Sequence, residues 1–169
     1  MWMRRGEDEL VAMQCGPCVV NAAIHDVGVR IIEATDYPFS DNLLLAVTPK
    51  AEAEFTLALR RPGHVKDMEI VEDAGATVSR EGDFVKLRKK WTGGDAVRVR
   101  FVVRAQTVAQ PPSKTVQSKP GGIYLQRGPL VYALPFLHEF HTLQELGDTG
   151  FKNYAVHTVD NTGWDYSID

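Results

Sequence analysis

Cys15-Gly16-Pro17-Cys18 is the densest concentration of chemistry-bearing residues in this chain. Two thiols at this spacing suit a thiol–disulfide centre, in which a helix N-terminus behind the first cysteine lowers its pKa. Here Val19-Val20-Asn21-Ala22-Ala23-Ile24 follows, Gly28 lies close behind, and no aromatic residue precedes Cys15. No long amphipathic helix can start at Cys18, so the pattern predicts a tight turn with small, buried or half-buried thiols. A structural zinc would need a second ligand pair, and the sequence has none. His138-Glu139-Phe140-His141 is the other metal-like spacing, two histidines on one face of a helix. A closed site needs further ligands, and Leu137, Phe140 and Leu143 fit a packed loop or short helix better. His25, His64 and His157 stand alone and read as surface or satisfied core positions. No metal site and no cofactor are expected in this chain.

Cleaving a glycosidic bond takes two carboxyl groups roughly 5–10 Å apart. Glu7, Asp8 and Glu9 are adjacent and terminal; Glu52 and Glu54 share one side of a strand start; Asp36 and Asp41 flank a turn. All read as solvated charges, and no catalytic residue is assigned. Sugars also stack on aromatic rings. Of Trp2, Tyr37, Trp91, Trp164 and Tyr166, Trp91 and Tyr37 fit positions that cap a core. Trp164 and Tyr166 are the candidate ligand-binding residues.

The elements that would carry these groups are strands. Val27, Val29 and Ile31 alternate onto one face, and Phe55, Leu57 and Leu59 do the same opposite Glu54, Thr56, Ala58 and Arg60. Val97, Val99 and Phe101 alternate against Arg98 and Arg100. A period of two is what a sheet with one buried face requires. Pro38, Ser40, Asp41 and Asn42 make a turn, Arg61-Pro62-Gly63 makes another, and Thr92-Gly93-Gly94-Asp95 reads as a hairpin turn between Phe84–Trp91 and Ala96–Val103. Residues 105–122, with Pro111, Pro112, Pro120, Gly121 and Gly122, read as a flexible surface loop. Gly128-Pro129 reads as a bulge or kink. Glu139 to Leu146 fits a helical turn or two, and Tyr154 to Val159 a last strand. About ten strand candidates with Gly, Pro and Asp turns predict an all-β, antiparallel sandwich, jelly-roll-like, as a single domain over 1–169.

Composition bounds what such a domain does. The chain has 169 residues, 44% hydrophobic and 24% charged, with a formal net charge of -3. An acidic balance argues against a general nucleic-acid binder. No apolar run approaches the ~20 residues of a membrane helix. Met1 to Glu9 has two arginines but no apolar stretch after them, so no signal peptide is read and a soluble chain is expected. Two cysteines are too few for a disulfide-built domain, and the compartment stays open.

One ordered set of segments carries a resemblance. It runs from the Gly-Pro-Cys turn through Glu33-Ala34-Thr35-Asp36-Tyr37-Pro38-Phe39, Phe55-Thr56-Leu57-Ala58-Leu59-Arg60-Arg61-Pro62-Gly63 and Phe84 to Trp91. It continues through Gly94-Asp95-Ala96-Val97, Gln126-Arg127-Gly128-Pro129-Leu130-Val131-Tyr132-Ala133-Leu134 and Gly163-Trp164-Asp165-Tyr166. The set resembles the β-sandwich region of β-L-arabinofuranosidase-type enzymes, glycoside hydrolase family 127 and its relatives. In that family the sandwich follows an (α/α)6 helical barrel, which carries a cysteine nucleophile, glutamates and a zinc held by cysteines and a glutamate. Nothing here matches the barrel, and no catalytic residue of the family falls on a position of this sequence. Asp165 stands where the family's Trp-Asn-Tyr segment has asparagine. The segment that follows in the family is missing, so the resemblance implies an excised fragment or a truncated gene.

The resemblance implies a non-catalytic accessory sandwich whose partner is the helical catalytic domain of a parent glycoside hydrolase. Loss of that neighbour would favour a homo-oligomer through unpaired edge strands. The alternative is a free-standing carbohydrate-binding module for plant-type oligosaccharides. An independent enzyme is the third reading, and it requires convergent titratable groups in a pocket.

Overall fold

A computed structural model describes residues 1–109, 123–133 and 137–159 of the chain. It divides into two compact units, Met1–Tyr132 and Ala133–Asp169.

In the first unit the alternating runs form two five-stranded sheets. One has the order β1 (Trp2–Arg5), β2 (Glu9–Ala12), β6 (Ala53–Arg60), β9 (Phe84–Trp91), β8 (Thr77–Glu81). The other has the order β3 (Cys18–Ile24), β4 (Val27–Thr35), β5 (Asn42–Pro49), β10 (Asp95–Val102), β7 (Asp67–Glu72). Neighbouring strands are antiparallel except β2 and β6, which run parallel with Leu10 opposite Leu57. The inward rows meet in one core: Leu10, Phe55, Leu57, Leu59, Val85, Leu87 and Trp91 from the first sheet, and Ile31, Leu43, Leu45, Val47, Met68, Val97, Val99 and Phe101 from the second. This is the expected all-β sandwich. Trp91 is fully buried, and its indole N–H donates to the Phe55 carbonyl at 2.9 Å. β6 is buried beyond its expected face, since Thr56 and Ala58 are also covered. On the outer face of the first sheet Arg88 pairs with Asp8 and Glu54, and Lys86 with Glu81.

Three connections differ from the sequence expectation. Gly93-Gly94 does not close a hairpin, because β9 pairs with β6 and β8 while β10 pairs with β5 and β7. The turn carries the chain from one sheet to the other, with Asp95 accepting from the Thr92 N–H at 2.8 Å. Hairpins close instead at Gly82-Asp83, where Glu81 faces Phe84, and at His25-Asp26, where both residues have positive φ. Residues 105 to 109, expected to open a loop, form β11 (Ala105–Ala109), which pairs with β12 (Ile123–Arg127) and through it with β13 (Leu130–Tyr132). The remainder of the expected 105–122 loop from residue 110 lies outside the described residues. Gly128-Pro129 is a hairpin turn rather than a bulge, with Arg127 facing Leu130.

The second unit holds β14 (His138–Glu145), a 3₁₀ turn at Gly147–Thr149, and β15 (Lys152–Thr158). The expected helical turns at Glu139 to Leu146 are therefore strand: every residue of β14 but Leu143 takes a partner on β15, with a register shift after Thr142. Among the described residues, no helix is long and apolar enough to cross a membrane.

Candidate functional site

The inward row of β4 does not end at Ile31. Alternation continues it to Glu33, which is only 2% exposed. A buried carboxylate is costly unless its oxygens are occupied, and here they are. The Trp2 indole N–H donates to Glu33 Oε2 at 2.7 Å, and the Gly16 N–H donates to Oε1 at 2.8 Å. The Cys18 thiol donates to Oε2 at 3.5 Å. Trp2 comes from the first sheet and Glu33 from the second, so the carboxylate ties the two sheets together. Sequence reasoning missed Glu33, although extending its row by one alternation reaches it.

The Cys15–Cys18 turn is thus a collar around a carboxylate, with both thiols free and half-buried. Burial, with the Glu33 charge adding to it, pushes the Cys15 thiol up to about 12. Burial and then Glu33 also raise the Cys18 thiol. Reactive Cys-X-X-Cys pairs have the opposite bias, because thiolate is the nucleophile. Cys18 opens a strand, so no helix dipole is there to reverse it.

Beside this collar lies a cleft of about 370 Å³ that takes in Met13, Cys15, Tyr37, Arg60, His64 and Pro129. The Tyr37 hydroxyl meets His64 Nε2, and the two rings lie end to end and nearly coplanar, with centroids 6.1 Å apart at 10°. Tyr37 also sets its edge against Phe101, centroids 5.2 Å apart. Burial, followed by the Cys15 and Asp41 charges, raises the Tyr37 phenol. A second cleft of about 360 Å³ shares Gly63 and His64 with the first and adds Arg61, Lys66, Arg104 and Gln106. Gly128 closes in here with φ +59; a Cβ on it would lie 3.2 Å from Val103 Cγ1 and 3.3 Å from His64 Cδ2. Next to it Arg127 pairs with Asp41 across the unit.

The other sequence candidates are placed as follows. Trp164 and Tyr166 lie outside the described residues. In a strand, residues three apart point to opposite faces, so His138 and His141 diverge. His141 instead meets His157 edge to face at 4.9 Å, with Glu139 Oε2 3.5 Å from His141 Nε2. Among the described residues, no three His, Cys, Asp or Glu side chains gather in a way that could hold a metal ion. Glu52 pairs with Lys90, Glu54 with Arg88, Asp8 with Arg88 and Glu9 with Arg5. These are exposed ion pairs of small energetic weight.

Residues 11–103, more than half of the chain, match the family described as the middle domain of GH127 beta-L-arabinofuranosidase. Among solved structures, the fold aligns with a GH127 beta-L-arabinofuranosidase from Geobacillus stearothermophilus T6 at 24% identity and a TM-score of 0.61, over 99% of this chain and 29% of that one. It aligns with a GH127 beta-arabinofuranosidase at 17% identity and a TM-score of 0.57, over 90% and 28%. It aligns with a further glycoside hydrolase at 15% identity and a TM-score of 0.54, over 95% and 30%. The chain thus spans less than a third of the length of these relatives. None of the curated proteins matches it. The solved structures agree with the sandwich, and the match over 11–103 settles the kinship: the chain belongs to the GH127 beta-L-arabinofuranosidase middle-domain family.

Proposed function

We propose that this chain is the non-catalytic sandwich of a GH127-type glycoside hydrolase, and that its work is to pack against a helical catalytic domain and steady the loops at the sugar pocket. The observation that carries the reading is the asymmetry of coverage: 99% of this chain aligns within 29% of a beta-L-arabinofuranosidase. The second unit adds support. Phe140, Leu143, Tyr154 and Val156 on its two strands and Phe151 just before the second are all exposed, and an isolated two-stranded hairpin is marginal without an apolar cover. The chemistry of the collar agrees, since its thiols are held protonated and its carboxylate is fully engaged as a structural acceptor.

Two measurements test this. The chain alone is assayed on an aryl β-L-arabinofuranoside, with no turnover expected. It is then mixed with the separately produced helical domain of a GH127 enzyme, and association is followed by analytical ultracentrifugation. Turnover by the chain alone overturns the non-catalytic part. Failure to associate overturns the packing part. Saturable binding of neutral arabinose oligosaccharides by the chain alone would point instead to a carbohydrate-binding module.

A further inference from the structure

The two adjoining clefts at one end of the sandwich carry cations that no carboxylate matches. On the sheet faces Arg88, Lys86, Lys90, Arg98 and Arg100 each have an acidic partner. Arg60, Lys66 and Arg104, at the clefts, are exposed and, among the described residues, have no carboxylate partner, as is also the case for Arg30 and Lys50 at a separate cleft. What sets the adjoining pair apart is the aromatic wall beside the cations. Among the described residues, no carboxylate lines either cleft. The nearby acids are already taken, Asp83 by Arg61, Asp41 by Arg127 and Asp67 by Arg80. In a chain of net charge -3, a concave spot with cations on its walls focuses a positive potential and draws in anions.

The neighbouring wall has a different chemistry. Tyr37 in line with His64 and nearly coplanar with it, with Pro129 alongside, gives a partly apolar ledge next to the cations. Gly128 approaches His64 closely here, and its positive φ of +59 disfavours any other residue at that turn. A flat apolar ledge beside fixed donors is the usual composition of a small-molecule site. Arg presents a planar fork matched to a carboxylate, and Lys a point charge.

We infer that this paired cleft binds an acidic sugar, its ring face on the Tyr37–Pro129 ledge and its carboxylate among Arg104, Lys66 and Arg60. The sugar half of this inference rests on the glycoside hydrolase reading above; the carboxylate half rests on the unmatched cations. The site would hold an acidic branch or neighbouring chain of a polysaccharide.

The test is isothermal titration of the full chain at low salt with trigalacturonate, and with galactotriose as its neutral counterpart. Trigalacturonate is expected to saturate one site and to bind at least about tenfold more tightly than galactotriose, the margin of charge-assisted hydrogen bonds. Joint replacement Lys66→Gln with Arg104→Gln should remove about tenfold or more of that affinity. Arg98→Gln, on the outer face of the second sheet, should leave it unchanged; a near-UV spectrum like the parent's checks that each variant is folded. Equal binding of the two sugars, no saturation with trigalacturonate, or equal losses in Arg98→Gln and the joint variant would each overturn the proposal. Turnover of an aryl arabinofuranoside would sink the non-catalytic reading and leave this one standing.

Discussion

The sandwich and the β14–β15 hairpin spend similar side chains in opposite ways. In the sandwich Phe55, Leu57, Leu87 and Trp91 are completely covered; in the hairpin Phe140, Leu143 and Phe151 are 61%, 70% and 73% exposed. The first region closes its own core and therefore gains the full benefit of burial, about 1.5–3 kcal/mol for each large apolar side chain. The second gains little until another surface covers it. The difference separates a unit that encloses its own apolar side chains from one that leaves them open.

Trp91→Ala should break the sandwich side of this contrast most severely. It removes the largest fully buried side chain and its hydrogen bond to Phe55, and a loss of about 3–5 kcal/mol is expected in chemical unfolding. A loss under about 1 kcal/mol would mean that the sandwich is not closed as described. Glu33→Ala comes next. It leaves the Trp2 indole and the Gly16 N–H without their acceptor at the junction of the two sheets. A cost of about 2–3 kcal/mol is expected, whereas Glu33→Gln, which keeps an acceptor, should cost less.

A weaker effect follows from Cys15, whose thiol stands above its ordinary value of 9.0, at about 12. The folded state thus holds this proton more tightly than the unfolded one, so the contribution is complete below pH 9 and is lost as pH rises toward 12. Unfolding midpoints should fall across that window, and fall less steeply in Cys15→Ala; Tyr37, also raised chiefly by burial, adds to the slope in both, and less in the variant because Cys15 is one cause of its rise. A slope unchanged by Cys15→Ala would contradict the burial of that thiol. The smallest effect is expected from Phe140→Ala in the hairpin, within about 0.5 kcal/mol for the chain alone. The same substitution should weaken association with a helical domain by about tenfold or more, since apolar anchors dominate interfaces. A large stability loss in the chain by itself would erase the distinction between the two regions.

How much of this was legible depended on whether the deciding contact was local. The row at Val97–Phe101 carries its own period and appears in the structure as read, while Phe55–Leu59 is a strand as read but is buried on both faces. Thr92-Gly93-Gly94-Asp95 was rightly a turn, but nothing in four residues says whether the next strand joins the same sheet or the opposite one. That choice is made by β5 and β7, which flank β10 on either side. At His138–Leu146 the spacing of Leu137, Phe140 and Leu143 imitates a helical face, while pairing with Lys152–Thr158 imposes a strand. The collar thiols were read correctly as a turn. Their carboxylate was missed because a glutamate at the end of an apolar row looks like the end of the row. Its donors are 17 and 31 residues away in sequence. The candidate cleft was least legible of all, since its walls come from five separate stretches of chain, and only the turn at Arg61-Pro62-Gly63 and the Gly128-Pro129 pair hinted at it.

The parallel seating of β2 on β6 sets an order of assembly. Glu9 to Ala12 can pair at once with Trp2 to Arg5, but its second partner, Thr56 to Leu59, lies 47 positions further along the chain (Glu9 to Thr56). During synthesis the N-terminal ribbon therefore waits with one edge open until β6 arrives. A cut behind the Cys-Gly-Pro-Cys collar would free that ribbon, bare the flank of β6 and turn a central strand into a template for pairing between molecules.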